Sequence, residues 1–424
     1  MPVIQQIQGL EILDSRGRPT VQATVEFSSG AKGTVSVPSG ASTGQAEALE
    51  LRDGDPNRYR GLGCRKAVGH VNQEIKSALI NRSVEDQTIL DQHLLDLDDT
   101  SNKANLGANA ILAVSLAFAR ANAQEKKQPL YHHFASLIDE AAASTLPRPT
   151  INLFSGGKHA GGQVPIQDVL IVANRAHTID EALATTYAVY QAAADLSQEK
   201  YGARALTADE GGLAPPFTSA TAMLDDAVQA IERAGYRPAE DVSLAVDVAS
   251  SHFYKDGRYH FDKAPEPAEA MIDHLLGWVN RYPIISLEDG LAEDDWHNWS
   301  TLTTKIDGRA LVLGDDLLCT NPSRIQRAID TQAADALLLK VNQIGTLSEA
   351  ATAYKLARSA NWRVTISARS GETEDNWLAD LAVGWGGDQI KIGSITQSER
   401  LAKYNRLLAI EAETNLPLVA WPNS

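Results

Sequence analysis

Hydrophobic and polar positions change rhythm partway along this chain. Residues Thr20 to Phe27, TVQATVEF, alternate as a half-exposed strand does, and Gly33 to Val37 read as its partner. From about Glu47 to Ala119 the spacing becomes helical, most clearly over Asn105 to Arg120, rich in alanine and leucine. A polar, proline-containing passage, AAASTLPRP from Ala141 to Pro149, then predicts a domain boundary. Residues 1–140 are therefore expected to form an α+β domain and residues 141–424 a second one.

Beyond that boundary short apolar runs recur between long helical stretches: INLF from Ile151, VLIV from Val169, SLAVD from Ser243, IISLED from Ile284, ALVLGDD from Ala310, ALLLKVN from Ala336, RVTIS from Arg363 and QIKIG from Gln389. Continuous apolar runs alternating with helices predict buried parallel strands, and eight of them predict a (β/α)-barrel. Asp247, Glu288, Asp315, Lys340 and Lys391 each fall at or beside the C-terminal end of one run. In a barrel those ends share one mouth, where such folds carry their chemistry. A single acidic strand end is usually a turn residue or a helix cap. Five in succession exceed what turn chemistry explains.

Composition narrows the classes. The formal net charge is −16 and the sequence pI about 5.1, which argues against nucleic-acid binding, and an anionic substrate has to be drawn by local cations. Cys64 and Cys319 are too few for a disulfide framework and suit a reducing compartment. The opening MPVIQQIQGLEILDSRG lacks a signal-peptide pattern, and Ala110 to Ala119 is too short an apolar run to span a bilayer. The expectation is a cytoplasmic protein with neither membrane nor nucleic-acid partners.

Asp247, Glu288 and Asp315 offer only oxygen, which suits a hard cation such as Mg²⁺, and no Cys/His cluster has zinc spacing. Such a cation close to Lys340 and Lys391 lowers an amine pKa, so a lysine beside it is expected to be partly neutral and to act as a base on a C–H next to a carboxylate. Asp209-Glu210-Gly211-Gly212 places an acid for the opposite side, although such a segment is also an ordinary loop. VPSGASTG from Val37 and SGGKHAGG from Ser155 read as lids around an anion. The GLG at Gly61 lacks the third glycine and the preceding strand of a dinucleotide fingerprint.

With these residues assembled, the chain resembles the enolases, the 2-phosphoglycerate dehydratases, along nearly its whole length. The matching passages are ILDSRGRPTV, VPSGASTGQAEALELRD, NLGANAILAVSLA, DEGGLAPP, AVDVASSHFY, LEDGLAEDDW, GDDL, LLLKVNQIGTLSEA, RSGETED and SERLAKYNRLL. The resemblance implies an α/β chain with an N-terminal α+β capping domain and a modified (β/α)8 barrel. It also implies two Mg²⁺ ions per active site and a homodimer or higher homo-oligomer. By motif, Asp247, Glu288 and Asp315 match the ligands of the tightly held metal and Ser39 the lid serine that helps hold the second. Lys340 matches the general base and Glu210 the general acid. Lys391 matches the lysine near the substrate carboxylate, Arg369 and Ser370 the phosphate binders, His159 a lid histidine and Gln167 a residue lining the site.

Three positions depart from the family pattern. Ser367-Ala368-Arg369-Ser370 has alanine where the family has histidine, Asp168 stands where glutamate is usual, and Gln397 where arginine is usual. Ala368 and Asp168 both bear on the leaving-group side, and Ala368 opens volume beside the phosphate site. The expected substrate is thus a small phosphorylated or phosphonylated carboxylate. The leading expectation is a specialised paralogue of the carboxyphosphonoenolpyruvate synthase kind, in phosphonate biosynthesis. The alternatives are an ordinary enolase and a non-catalytic protein on the same fold; the intact Lys340, Glu210 and Lys391 count against the last.

Overall fold

The computed structural model describes residues 2–41, 43–139, 144–203, 206–261 and 264–422. An antiparallel sheet opens the chain, in the order β1 (Ile4–Leu13), β2 (Pro19–Phe27), β3 (Lys32–Ser36). Alternation in β2 turns Val21, Ala23, Val25 and Phe27 inward, where the helix Ala108–Glu125 covers them and Phe27 meets Phe118 edge-on at 5.4 Å between ring centroids. The helix comes so close to β3 that a Cβ on Gly33 would stand 2.1 Å from the Ala117 carbonyl oxygen, so only glycine fits. β1 was not legible in the sequence. Its segment IQQIQGLEIL buries few residues and leaves Leu10 and Leu13 half exposed, so it lacks a clear alternation.

Eight strands close a barrel in the order β10 (Leu311–Gly314), β11 (Ala336–Leu339), β12 (Arg363–Ser367), β13 (Gln389–Lys391), β4 (Arg148–Ser155), β5 (Asp168–Ala173), β6 (Val242–Asp247) and β9 (Ile284–Glu288). Each contains or overlaps one of the eight apolar runs. A two-residue hairpin, β7 (Tyr254–Lys255) with β8 (Arg258–Tyr259), lies outside the barrel. The expectation of uniformly parallel strands is corrected at β5, which is antiparallel to both β4 and β6. The physical reason is the connection. Residues 156–167 hold only a three-residue 3-10 turn, Gly157–His159, between β4 and β5, whereas parallel strands are usually joined by a crossover α-helix. A buried strand reads the same in either direction, so its sequence could not reveal the inversion. The boundary expected at residues 140/141 falls within residues 140–143, outside the described residues. Among the described residues, no helix is long and apolar enough to cross a membrane.

Candidate active site

The reversed β5 matters to the chemistry. Because it starts where its neighbours end, Asp168 pairs in register with Asp247 at the end of β6 and with Ser155 at the end of β4. Gln167 stands one residue earlier, and its side-chain amide donates to Asp247 Oδ2 at 3.1 Å. Asp247 is in register with Glu288 on β9, and Asp315 follows two residues after β10's Leu313, the partner of Glu288. A cavity at this mouth is bordered by His159, Gln167, Glu210, Asp247, Lys340 and Lys391, and Ala368, Arg369 and Ser370 close its other side.

Two lysines thread the carboxylates. Lys391 Nζ lies 2.9 Å from Asp247 Oδ2 and 2.6 Å from Glu288 Oε2, while Lys340 Nζ lies 2.5 Å from Asp315 Oδ2. Burial pulls both amine pKa values down, but the facing carboxylates outweigh it and hold both above the ordinary lysine value, Lys391 well above. The partly neutral lysine is expected beside a bound cation; the protein's own carboxylates alone hold both amines protonated. Lowering an amine pKa takes adjacent cations, and here each ammonium meets carboxylates. Glu288 carries the opposite strain: burial first, then the Asp247 and Asp315 charges, push its carboxyl well above the ordinary value.

The fit to Mg²⁺ rests on that imbalance. Three buried carboxylates at adjacent strand ends provide only hard oxygen donors, and Glu288 resists ionisation because the local positive charge is insufficient. A divalent cation would relieve it. Asp247, Glu288 and Asp315 are not among the described sets of three whose ligand atoms all lie within 4.8 Å of one another; those are His159–Asp168–Glu210 and Asp289–Asp315–Asp316. The predicted triad is wider, with the lysine ammoniums between its members. Asp289 was missed by sequence reasoning, although it follows Glu288 directly in the quoted LEDG. It accepts the backbone N–H groups of Asp315 at 2.9 Å and Asp316 at 2.7 Å and so fixes the turn that presents Asp315.

Opposite the lysines, His159 Nδ1 sits 2.8 Å from Asp168 Oδ2 and its Nε2 is 3.8 Å from Glu210 Oε1. Ser155 donates to Asp168 Oδ1 at 2.5 Å and Asn152 to Glu210 Oε2 at 3.0 Å. Burial disfavours the charged imidazole, yet Asp168 and Glu210 together lift His159 to about 9. Burial likewise raises Glu210, but His159, Arg400, Lys391 and Lys340 outweigh it and leave the carboxyl below its ordinary value. The proton of this pair thus rests on His159, with Glu210 ionised. Asp168 stays above its ordinary value, because burial exceeds the pull of His159. A histidine whose folded pKa exceeds its unfolded value stabilises fully below about 6.5, and that contribution fades as pH rises towards 9. Urea unfolding between those limits should show stability falling with pH. His159→Gln should flatten that slope; an unchanged slope would place the titration elsewhere.

On the remaining side the expected phosphate binders are already occupied. Arg369 forms a two-pronged ion pair with Glu47, Nη1–Oε2 3.0 Å and Nη2–Oε1 3.1 Å, and also donates to Asn342 Oδ1. Ser370 Oγ accepts from Arg16 Nη1 at 3.0 Å and from the Ala41 N–H at 2.9 Å. Ser39 comes to this loop by bridging Gly371, but Arg52 at 2.7 Å and Glu50 at 3.2 Å hold its hydroxyl, and neither belongs to the carboxylate triad. Arg400 was also passed over. Its buried guanidinium donates to the carbonyls of Arg369 (2.7 Å), Ser370 (2.5 Å) and Ile392 (3.0 Å), which sets the curvature of the loop. Arg16, Glu47 and Arg400 all lie in the passages that carry the resemblance. Asn152, inside an apolar strand, gave no signal, and Ser155 entered only as the first residue of the glycine-rich SGGKHAGG. Gln397 sits at the start of the last helix, with its side chain against the Ala208 and Asp209 carbonyls, next to the loop that carries Glu210.

The comparison with known families agrees with this architecture in both halves. Residues 4–134 match the family described as "Enolase, N-terminal domain" and residues 143–417 match "Enolase, C-terminal TIM barrel domain". The two matches cover nearly the whole chain, one on the three-stranded sheet and its helices and the other on the closed barrel. The chain belongs to the enolase family.

Proposed function

We propose that this enolase-family enzyme uses Mg²⁺ to remove the α-proton of a three-carbon acid with a phosphoryl or phosphonyl group at C2. Lys340 takes the proton, and Lys391 faces the substrate carboxylate. Arg369 and Ser370 receive the phosphorus oxyanion, and Glu210 serves a leaving hydroxyl from the other side. Asp247, Glu288 and Asp315 would hold one metal ion, and Ser39 would help hold a second after leaving Arg52 and Glu50. When bound, the ions supply positive charge against the negative charge that develops on the substrate carboxylate. The carrying observation is one cavity bordered by Lys340 and Glu210 from different elements, with Lys391 and Arg369 between them. Arg369 releases Glu47, or shares its fork with it, when the oxyanion enters.

The finer reading is a specialised paralogue of the carboxyphosphonoenolpyruvate synthase kind. It is supported by Ala368, which borders the cavity next to Arg369 where the family pattern has the bulkier histidine. Ordinary dehydration of 2-phosphoglycerate is the second reading, and the contacts that still link His159 to Asp168 and Glu210 favour it. Absorbance of the enol product separates them. The specialised enzyme should dehydrate 2-phosphoglycerate about 10²-fold or more below an ordinary enolase, since one electrostatic partner is missing. Ala368→His with Asp168→Glu should raise that rate and impair the native reaction. Dehydration by the native protein at ordinary enolase speed would leave the second reading in place.

We also propose a homodimer or higher homo-oligomer and a cytoplasmic location, both supported by membership of the enolase family. Sedimentation as a monomer would remove the oligomer.

A further inference from the structure

Directly beneath the mouth, the barrel interior holds a small polar chamber that none of the proposed steps uses. Its polar lining is Thr150, Ser286, Glu288, Thr365, Gln389 and Lys391, and it has room for about one water molecule. Strand periodicity explains the layer. Ser286, Thr365 and Gln389 each precede by two residues the mouth residues Glu288, Ser367 and Lys391, so they point inward one step down. A barrel core at this depth is ordinarily filled by branched aliphatic side chains. Three hydrogen-bonding side chains in one layer are out of keeping with that.

Three fully buried atoms in this lining have no hydrogen-bond partner among the described residues: Glu288 Oε1, Thr365 Oγ1 and Gln389 Nε2. Leaving such groups unpaired is costly, so native interiors pair them. Thr150 Oγ1 donates to Gln389 Oε1 at 2.8 Å, and in this orientation the amide keeps its Nε2 as the unpaired donor. Lys391 engages Glu288 Oε2 at 2.6 Å, which leaves Oε1 as the unpaired acceptor. The atoms also decide what fits among them. A cation is opposed by the Gln389 N–H and the Lys391 ammonium, and an anion by the Glu288 carboxylate. A neutral molecule that both accepts and donates satisfies all three.

We propose that the chamber binds one ordered water, which accepts from Gln389 Nε2 and bonds Thr365 Oγ1 and Glu288 Oε1. Gln389 and Thr365 are thereby positioning residues for Glu288. They act through the water to hold one carboxylate oxygen down, while the other meets Lys391. The consequence for function rests on the metal reading above: a carboxylate so anchored is preset as a ligand, and partners of this outer kind typically carry about 10–100-fold in metal affinity.

The test uses the full-length protein and three near-isosteric variants, Thr365→Val, Thr365→Ser and Gln389→Met. The readouts are Mg²⁺ titration by calorimetry without substrate and a high-resolution crystal structure of each. In the wild type a water should appear within hydrogen-bond distance of the three atoms. Thr365→Val and Gln389→Met should weaken Mg²⁺ binding about 10-fold or more, and Thr365→Ser, which restores the hydroxyl, should stay within about 2-fold of wild type. Loss of affinity in Thr365→Ser equal to that in Thr365→Val would show a packing effect and overturn the role of the hydroxyl. A dry chamber in the wild type, or native Mg²⁺ affinity in both Thr365→Val and Gln389→Met, would overturn the proposal. Wild-type protein that holds the water but binds no Mg²⁺ would instead sink the metal reading, and with it the role given to Gln389 and Thr365. Should one variant fail to fold, the other, with the wild-type chamber, still decides.

Discussion

Lys340→Ala should eliminate exchange of the substrate's α-proton with deuterated solvent, lowering it by about 10²-fold or more. Lys340 reaches the cavity from the end of β11, and its ammonium is held by Asp315 at 2.5 Å. In the substrate-free protein that contact keeps the amine protonated, so a base role requires Asp315 to be neutralised by something other than Lys340. A metal ion on Asp315 would do this and would bring the positive charge that lowers the lysine pKa. Exchange should therefore depend on both Lys340 and Mg²⁺. Glu210→Gln should spare exchange and block departure of the leaving group, because Glu210 lies with His159 on the other side of the cavity. Proton exchange at the native rate by Lys340→Ala would place the base elsewhere.

For Asp315→Asn the expected result is loss of activity together with loss of Mg²⁺-dependent thermal stabilisation. A ligand that binds only the folded state stabilises it by about 2.7 kcal/mol at a concentration 100-fold above its Kd, so the wild type should melt higher with Mg²⁺ and the variant should not. Asparagine keeps the shape but not the charge. It also cannot keep the contacts, since Asp315 accepts from Gln343 Nε2 on one oxygen and Lys340 on the other, and the new amide nitrogen has to face one of these donors. Some loss of stability without Mg²⁺ is expected for that reason. The decisive quantity is the shift that Mg²⁺ produces, and a shift equal to that of the wild type would remove Asp315 from the metal centre.

Strand identity was legible in the chain because burial on both faces demands unbroken apolar runs, and each of the eight runs lies in a barrel strand. The charged residues that end those runs stood out for the same reason: an ionised group at the edge of an apolar strand calls for an explanation. Strand direction was not legible, since the apolar pattern of β5 is indifferent to polarity. Its connection without an α-helix decides the inversion, and that inversion brings Gln167 and Asp168 to the mouth. Pairing between distant segments also had to come from the tertiary structure. Glu47 on Arg369 and Arg16 on Ser370 join the N-terminal domain to a barrel loop more than 300 residues away in sequence. The charge states followed from that proximity. The sequence placed lysines beside carboxylates, but distances and burial fix which neighbour dominates, so Lys391 stays an ammonium and the proton between His159 and Glu210 rests on the histidine.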